Sequence, residues 1–223
     1  QAAATKAGGK LVTGDTKVVD RGKGDKIFIN TSGIGVVDSG IQIGSRNARV
    51  GDVVIISGPI AVHGIAIMSV REGLEFESQI ESDTAALNHL VMLMLAASKN
   101  IHVLRDPTRG GVASSLNEIA ESSLVGIKID EEKIPITEPV RGACEILGLD
   151  PLYVANEGKL IAFVSPRDAE SVLSVMRQNP LGKESVVIGE VVGDHPGTVV
   201  MRTSIGGSRV VDMLSGEQLP RIC

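Results

Sequence analysis

The chain has 223 residues, of which 43% are hydrophobic and 22% charged, enough for one or two domains with a buried core. A net charge of −5, with one tyrosine, three phenylalanines and no tryptophan, argues against a surface for nucleic acid or an anionic membrane. No apolar run has the length of a membrane span, no signal peptide is visible, and two cysteines give neither a disulfide framework nor a four-ligand zinc site. We therefore expect a cytoplasmic protein.

The first residues read as the end of a helix followed by β-structure. Residues 1–7 have helical spacing, two glycines then form a stop signal, and strands are predicted over 10–12, 25–31 and 33–37. A domain seldom begins in this way. We therefore expect residues 1–47 to be the back part of an N-terminal ATP-binding and dimerisation domain whose front is not in this chain.

Residues 48–204 alternate between helical spacing and short apolar runs, which predicts an α/β (α+β) domain. Strands are predicted over 53–58, 126–129, 159–164, 186–192 and 198–202, the last two paired with each other. Helices are predicted over 61–71, 83–98, 111–122, 138–147 and 166–177. Ser82 or Asp83 is expected to cap the second helix, and Pro166 to lie in the first turn of the fifth.

Residues 205–223 read as a flexible tail, since glycines and a proline occur where a helix would need neither. Nineteen extended residues would reach roughly 60 Å. The chain ends in Cys223, whose thiol pKa is raised by the neighbouring α-carboxylate, so a carrier thiol loaded by another protein is favoured over a spontaneous nucleophile. The alternative is a frayed terminus with an idle cysteine.

The segment from Gly14 to Lys17 follows a predicted strand directly. Asp15 could hold Mg²⁺, Thr16 and backbone amides could contact phosphate oxygens, and Lys17 could neutralise charge. On these residues alone a polar turn is the stronger interpretation.

A second candidate lies just before the helix predicted at 111–122. Thr108, Gly110 and Gly111 would present backbone N–H groups at a helix start, which together with Arg109 predicts an anion site. A plain cap by Thr108 is the alternative. The glycine pair favours the functional interpretation, because it is costly at a helix start unless something approaches the backbone closely.

The third candidate is Ala155 to Lys159, before a buried strand. Glu157 could act as a general base there, or be an exposed loop acid. His63 could contact phosphate or be packed, and Cys144 is expected to be a small buried hydrophobe. The other histidines show no metal spacing and are interpreted as structural: His89, His102 and His195.

Taken together these motifs resemble the HypE family of hydrogenase maturation factors along the whole chain. The segments that carry the resemblance are 14–19, 105–112, 141–145, 155–159 and the terminal Pro-Arg-Ile-Cys, which is the most specific. The glycine-rich loops are shared with the wider superfamily of aminoimidazole ribonucleotide synthetase, selenophosphate synthetase and thiamine-monophosphate kinase.

The resemblance implies a homodimer of two-domain subunits with ATP and Mg²⁺ between the domains. A carbamoyltransferase, HypF, would load the terminal thiol, and ATP would drive dehydration of the S-carboxamide to a thiocyanate. The cyanide would pass to iron on a HypC–HypD complex for NiFe hydrogenase. The alternatives are a small-molecule kinase or synthetase of the superfamily, and a non-catalytic carrier that presents its tail.

The resemblance also implies roles for the candidate residues. Cys223 is the acceptor, Lys17 stabilises charge or shuttles a proton, and Glu157 is the base. Asp15 binds Mg²⁺ or phosphate, and the remaining cofactor-binding positions are Thr16, His63, Thr108, Arg109, Gly110, Gly111 and Asn156.

Overall fold

A computed structural model describes residues 2–24, 27–73 and 80–214. The chain divides into two compact units, residues 1–41 and 42–223. Among the described residues no helix is long and apolar enough to cross a membrane.

The first unit begins with helix α1, Ala2–Lys6. It ends where Gly8, at φ 70°, donates its N–H to the carbonyl of Thr5. The rest of the described unit contains no strand, so the strands predicted over 10–12, 25–31 and 33–37 are wrong where the structure describes them. β-Branched residues favour strands, but a strand needs a partner, and these segments pair with no described residue.

The second unit is built on a seven-stranded sheet with the order β2-β4-β1-β5-β3-β6-β7. The strands are β1 Val53–Ile56, β2 Ile101–Arg105, β3 Gly126–Asp130, β4 Ile161–Val164, β5 Val186–Val192, β6 Val199–Arg202 and β7 Ser208–Val211. The sheet is mixed, because β3 and β6 run parallel while the other neighbours are antiparallel. The predicted α/β class is confirmed.

The predicted pairing of β5 with β6 is wrong. Both sides of β5 are occupied, by β1 and β3, and β6 pairs with β3 and β7 instead. The connection from β5 to β6 passes close to Gly126, where an added Cβ would lie 1.9 Å from the carbonyl oxygen of Asp194. The glycine at the start of β3 therefore lets the chain cross to the far side of that strand.

Five helices pack on this sheet: α2 Val62–Glu72, α3 Asn88–Ala97, α4 Gly111–Ser123, α5 Glu138–Leu147 and α6 Ala169–Gln178. Val54 and Ile56 join a core with α2, α4 and α5, whereas Ile55 joins a second core with α3 and α6. Alternation along β1 thus buries both faces of the strand. A hollow of about 500 Å³ lies beside the second core, over β5, β3 and β6.

Two helix starts differ from prediction. α3 begins only at Asn88, because the Ser82 hydroxyl bonds His63 and Asp83 contacts Lys159, so neither caps a helix. α6 begins at Ala169, after Pro166.

Strand β2 was not predicted, nor was β7, which lies within the predicted tail. Val211 is fully buried and β7 pairs with β6 along its length. The chain therefore stays on the sheet through Val211.

Candidate functional site

Strand register brings three loops to one edge of the sheet. Ile161, the first residue of β4, lies opposite Ile56 at the end of β1 and Arg105 at the end of β2. The loops that follow β1 and β2 and the loop that precedes β4 therefore meet. Backbone pairing alone thus gathers residues far apart in sequence.

A cleft of about 240 Å³ lies at this edge, lined by Ala85, Leu87, Asp106, Thr108, Asn156, Glu157, Gly158 and Lys159. Three of these were predicted as site residues from sequence: Thr108, Asn156 and Glu157. The larger hollow on the sheet face holds no predicted site residue. The smaller cleft is therefore the candidate site.

Asn156 ties the three loops together and is only 1% exposed. Its Oδ1 accepts from the backbone N–H of Ala61 at 2.8 Å, and its Nδ2 donates to the carbonyls of Pro107 and Val154, each at 3.0 Å. The amide is thus occupied by the protein on both sides. Its predicted role as a cofactor ligand stays a prediction, and its contacts make it a residue that shapes the cleft.

The glycine pair before α4 is explained by close packing. Gly110 and Gly111 have φ of 67° and 62°, and a Cβ on Gly111 would lie 2.4 Å from the carbonyl oxygen of Leu152. The group that approaches the backbone is therefore the segment Pro151–Tyr153. An anion at this helix start stays a prediction, and the glycines alone do not require one.

His63 packs against the segment that leads to α3 and is not a lining residue of the cleft. The ring is buried, with Nδ1 2.8 Å from the hydroxyl oxygen of Ser82 and 3.3 Å from that of Thr84. These contacts fit the packed interpretation, and the predicted contact of His63 with phosphate stays a prediction.

Sequence reasoning missed the ion pair of Lys159 with Asp83. The lysine Nζ lies 2.5 Å from Oδ2 of Asp83, and the side chains are 11% and 18% exposed. Both carboxylate oxygens are buried and accept no hydrogen bond from the described residues, so the ammonium balances their charge. The signal in the sequence that could have indicated a buried ion pair was a lysine just before a buried strand, two residues after Glu157.

Comparison with known proteins agrees with this architecture. The family described as AIR synthase related protein, C-terminal domain, matches residues 49–202. Carbamoyl dehydratase HypE of Cupriavidus necator is 58% identical over 221 residues, which are 99% of this chain and 63% of that protein. The chain belongs to the HypE family. It spans less than two thirds of that relative's length.

Solved HypE structures share the fold. One described as a HypE–HypF complex is 50% identical with a TM-score of 0.91, over 95% of this chain and 68% of the other. A HypE structure in complex with ATP is 43% identical with a TM-score of 0.88, over 100% of this chain and 68% of the other.

The other site residues predicted from the HypE resemblance lie elsewhere. Asp15, Thr16 and Lys17 are exposed in the first unit, where the N–H of Thr16 donates to Oδ1 of Asp15 at 2.8 Å. Arg109 is exposed at the start of α4, outside the cleft lining. Cys223 lies outside the described residues. The roles of all five stay predictions.

Of the remaining histidines and Cys144, His102 and Cys144 are buried, and the structural interpretation of His89 and His195 stays a prediction. His102 is buried with Nδ1 2.8 Å from Oδ2 of Asp52, and His89 is exposed. Burial, and then the nearby Asp150, raises the pKa of the Cys144 thiol to about 11. Within the described ranges no three His, Cys, Asp or Glu side chains gather as a metal centre.

Proposed function

We propose that this chain carries out the ATP-dependent dehydration of a carbamoyl group on Cys223 to a thiocyanate, as a step of NiFe hydrogenase maturation. A relative 58% identical to it is named a carbamoyl dehydratase, and a second binds ATP. Because the chain covers only part of each relative, the activity, substrates and partners are proposals.

One observation in the structure carries the proposal. The last described residue, Leu214, lies beside Gly110, with its Cβ 3.6 Å from where a Cβ of that glycine would be. Gly110 is two residues from Thr108 in the cleft wall. Nine residues follow Leu214, the last of them Cys223, enough to span about 30 Å when extended. The terminal thiol is therefore within reach of the cleft.

The chemistry replaces a poor leaving group by a good one. The carbamoyl oxygen attacks the γ-phosphorus of ATP and ADP leaves; the carbon–oxygen bond then breaks, phosphate departs with that oxygen, and two N–H protons are lost to give the nitrile. Glu157 in the cleft is the proposed base for an N–H proton, and Lys17 the group that neutralises charge or shuttles a proton. Thr108, Arg109, Gly110 and Gly111 are proposed to border the phosphate or the arriving tail, with Thr16 contacting phosphate.

Mg²⁺ would accompany the nucleotide. With ATP this ion needs only one or two carboxylates beside phosphate and water oxygens, and the exposed carboxylate of Asp15 fits that requirement. It would supply charge neutralisation at the transferred phosphoryl group.

The proposed partners follow from the relatives and from the first unit. A relative forms a complex with HypF, which we propose as the loading enzyme, with a HypC–HypD complex receiving the cyanide. Val12, Ile29 and Val36 are each more than 80% exposed, which supports the proposed homodimer through this unit. A cytoplasmic location is part of the proposal, because the acceptor must remain a free thiol.

Intact-mass measurement tests the reaction. The chain is incubated with the loading enzyme, carbamoyl phosphate and ATP; we expect a gain of one carbamoyl group and then an ATP-dependent loss of one water. Cys223→Ala should accept no carbamoyl group, whereas the matched Cys144→Ala should behave like the wild type. Glu157→Gln should gain the carbamoyl group but show no ATP-dependent loss of water.

Each contrary result has a meaning. Full labelling of Cys223→Ala would exclude the terminal thiol as the acceptor. If the wild type gains the carbamoyl group but shows no ATP-dependent loss of water, the alternative of a non-catalytic carrier is favoured. If ATP turnover persists after deletion of residues 215–223, a small-molecule kinase or synthetase is favoured.

A further inference from the structure

We propose that Asn117 and Tyr153 are positioning residues that hold the chain after β7 against the cleft wall, so that residues 215–223 start beside the cleft. The inference rests on the proposed function and adds two residues that the sequence motifs did not single out.

The first contact comes from helix α4. Nδ2 of Asn117 donates to the carbonyl of Val211 at 2.8 Å, and also to the carbonyl of Ala113 at 2.9 Å. The second hydrogen bond fixes the side chain on its own helix. The end of β7 is thereby joined to the helix whose first turn follows Thr108.

The second contact comes from the segment Pro151–Tyr153. The hydroxyl of Tyr153 donates to the carbonyl of Asp212 at 2.9 Å, and burial raises the pKa of this hydroxyl above its ordinary value. The same segment packs against Gly111. Two consecutive carbonyls, of Val211 and Asp212, are therefore held by the two elements that border the Thr108 loop.

A third contact braces this arrangement. Arg209 of β7 lies 2.6 Å from Oδ2 of Asp150, whose Oδ1 accepts from the N–H of Leu152 at 3.0 Å. β7 and the Tyr153 segment are thus fastened to each other before the chain leaves the sheet. The three contacts hold the chain just before Leu214, which lies beside Gly110.

The functional value of a fixed starting point is a high effective concentration of the thiol at the cleft. With Leu214 held, nine residues connect the fixed point to Cys223; if the chain after β7 came loose, the connection would begin at Val211 and have twelve. Effective concentration falls with about the −3/2 power of tether length. Loosening the end should therefore lower it roughly 1.5-fold.

Disulfide trapping measures this quantity without ATP chemistry. In the full chain carrying Thr108→Cys, the rate of disulfide formation with Cys223 is measured in a glutathione buffer. The second measurement is the rate at which the Thr108→Cys, Cys223→Ser chain forms a disulfide with a free peptide of residues 215–223. The first-order rate constant of the full chain divided by the second-order rate constant of the peptide reaction is the effective concentration of the thiol. The high thiol pKa of Cys144 keeps it from competing.

We expect Asn117→Ala combined with Tyr153→Phe to lower the ratio roughly 1.5-fold while the peptide rate stays unchanged. The matched control is Asn179→Ala, since within the described ranges the Asn179 side chain bonds only the N–H of Leu181 in its own turn, and it should leave both rates as they are. An unchanged ratio, or an equal fall in both rates, would overturn the proposal. The intact-mass test could show no dehydration while the effective concentration still falls in the double variant, so the two proposals can be disproved separately.

Discussion

The side-chain oxygen of Asn156 accepts a hydrogen bond from the backbone N–H of Ala61 at 2.8 Å. Ala61 has φ 68°, a left-handed conformation that non-glycine residues avoid. It stands directly before α2, whose Gly64 donates its N–H to the carbonyl of Ala155 at 3.0 Å. The pair therefore joins the start of a helix to the loop that carries Glu157, and holds a strained residue in place.

Removing the Asn156 amide should destabilise the fold strongly. Asn156→Ala deletes three buried hydrogen bonds and should lower the free energy of unfolding by about 3 kcal/mol. Asn179→Ala, with one exposed local bond, should cost under about 1 kcal/mol. Adding Ala61→Gly to Asn156→Ala should restore about 1 kcal/mol, because glycine has no Cβ penalty at positive φ. Urea denaturation measures all three, and no recovery with glycine would contradict this account.

The ion pair in the cleft should be worth far more than an exposed one. Asp83→Asn leaves the Lys159 ammonium 11% exposed without its counter-charge, so we expect a loss of about 3 kcal/mol. Glu118→Gln breaks the Arg105 pair, whose side chains are 42% and 48% exposed, and should cost under about 1 kcal/mol. Equal losses in chemical denaturation would mean that the cleft pair is as solvated as the surface pair.

Gly111 should not tolerate a side chain. A Cβ there meets the carbonyl oxygen of Leu152 at 2.4 Å and forces alanine to φ 62°, which together should cost about 3 kcal/mol. Gly142 lies within α5 with nothing within 4 Å of an added Cβ, so Gly142→Ala should gain about 0.8 kcal/mol. Thermal unfolding of both variants should show opposite shifts.

Acid should weaken the junction of α3 with α6 through Asp168. Hydrogen bonds from Ser98 and Asn100 hold the pKa of this carboxyl below its ordinary 3.8. Because the folded pKa is depressed, the stabilisation is present above the unfolded value and is lost as pH falls from 3.8 through the folded one. Asp168→Asn should therefore lower stability at pH 7, and its difference from wild type should shrink in denaturation curves taken below pH 4.

Cys144 should resist thiol reagents in the folded protein. With a pKa of about 11, only about a thousandth of this thiol is thiolate at pH 8, and burial blocks access as well. In Cys223→Ser, where Cys144 is the remaining cysteine, a colorimetric thiol reagent should react only after denaturant is added. Rapid reaction in buffer would show that α5 opens readily.

Sequence reasoning succeeded where local pattern decides. The amphipathic stripe of α5 and the apolar run of β5 gave their observed bounds, 138–147 and 186–192. Thr108, Asn156 and Glu157, which were predicted as site residues, line one cleft, and their roles stay predictions. Turn chemistry and hydrophobic period are properties of neighbours in sequence.

It failed where distant segments decide. β6 cannot pair with β5, because β1 and β3 already occupy both sides of β5. Asp83 was expected as a possible helix cap, and its ion pair was missed because its partner, Lys159, is 76 residues away. Strand β2 was missed because its five residues follow a helix with no clear alternation. Register and ion pairing are long-range outcomes that a local window does not contain.

The position of β1 near the middle of the sheet has a consequence for biosynthesis. Its residues leave the ribosome before any other strand of the sheet, but its two neighbours are β4 and β5, roughly a hundred residues or more later. Four helices emerge in between with their apolar stripes uncovered. A pause in translation before Val192 would therefore leave a nascent chain that is prone to aggregate, and such contacts of high sequence separation should make refolding slow.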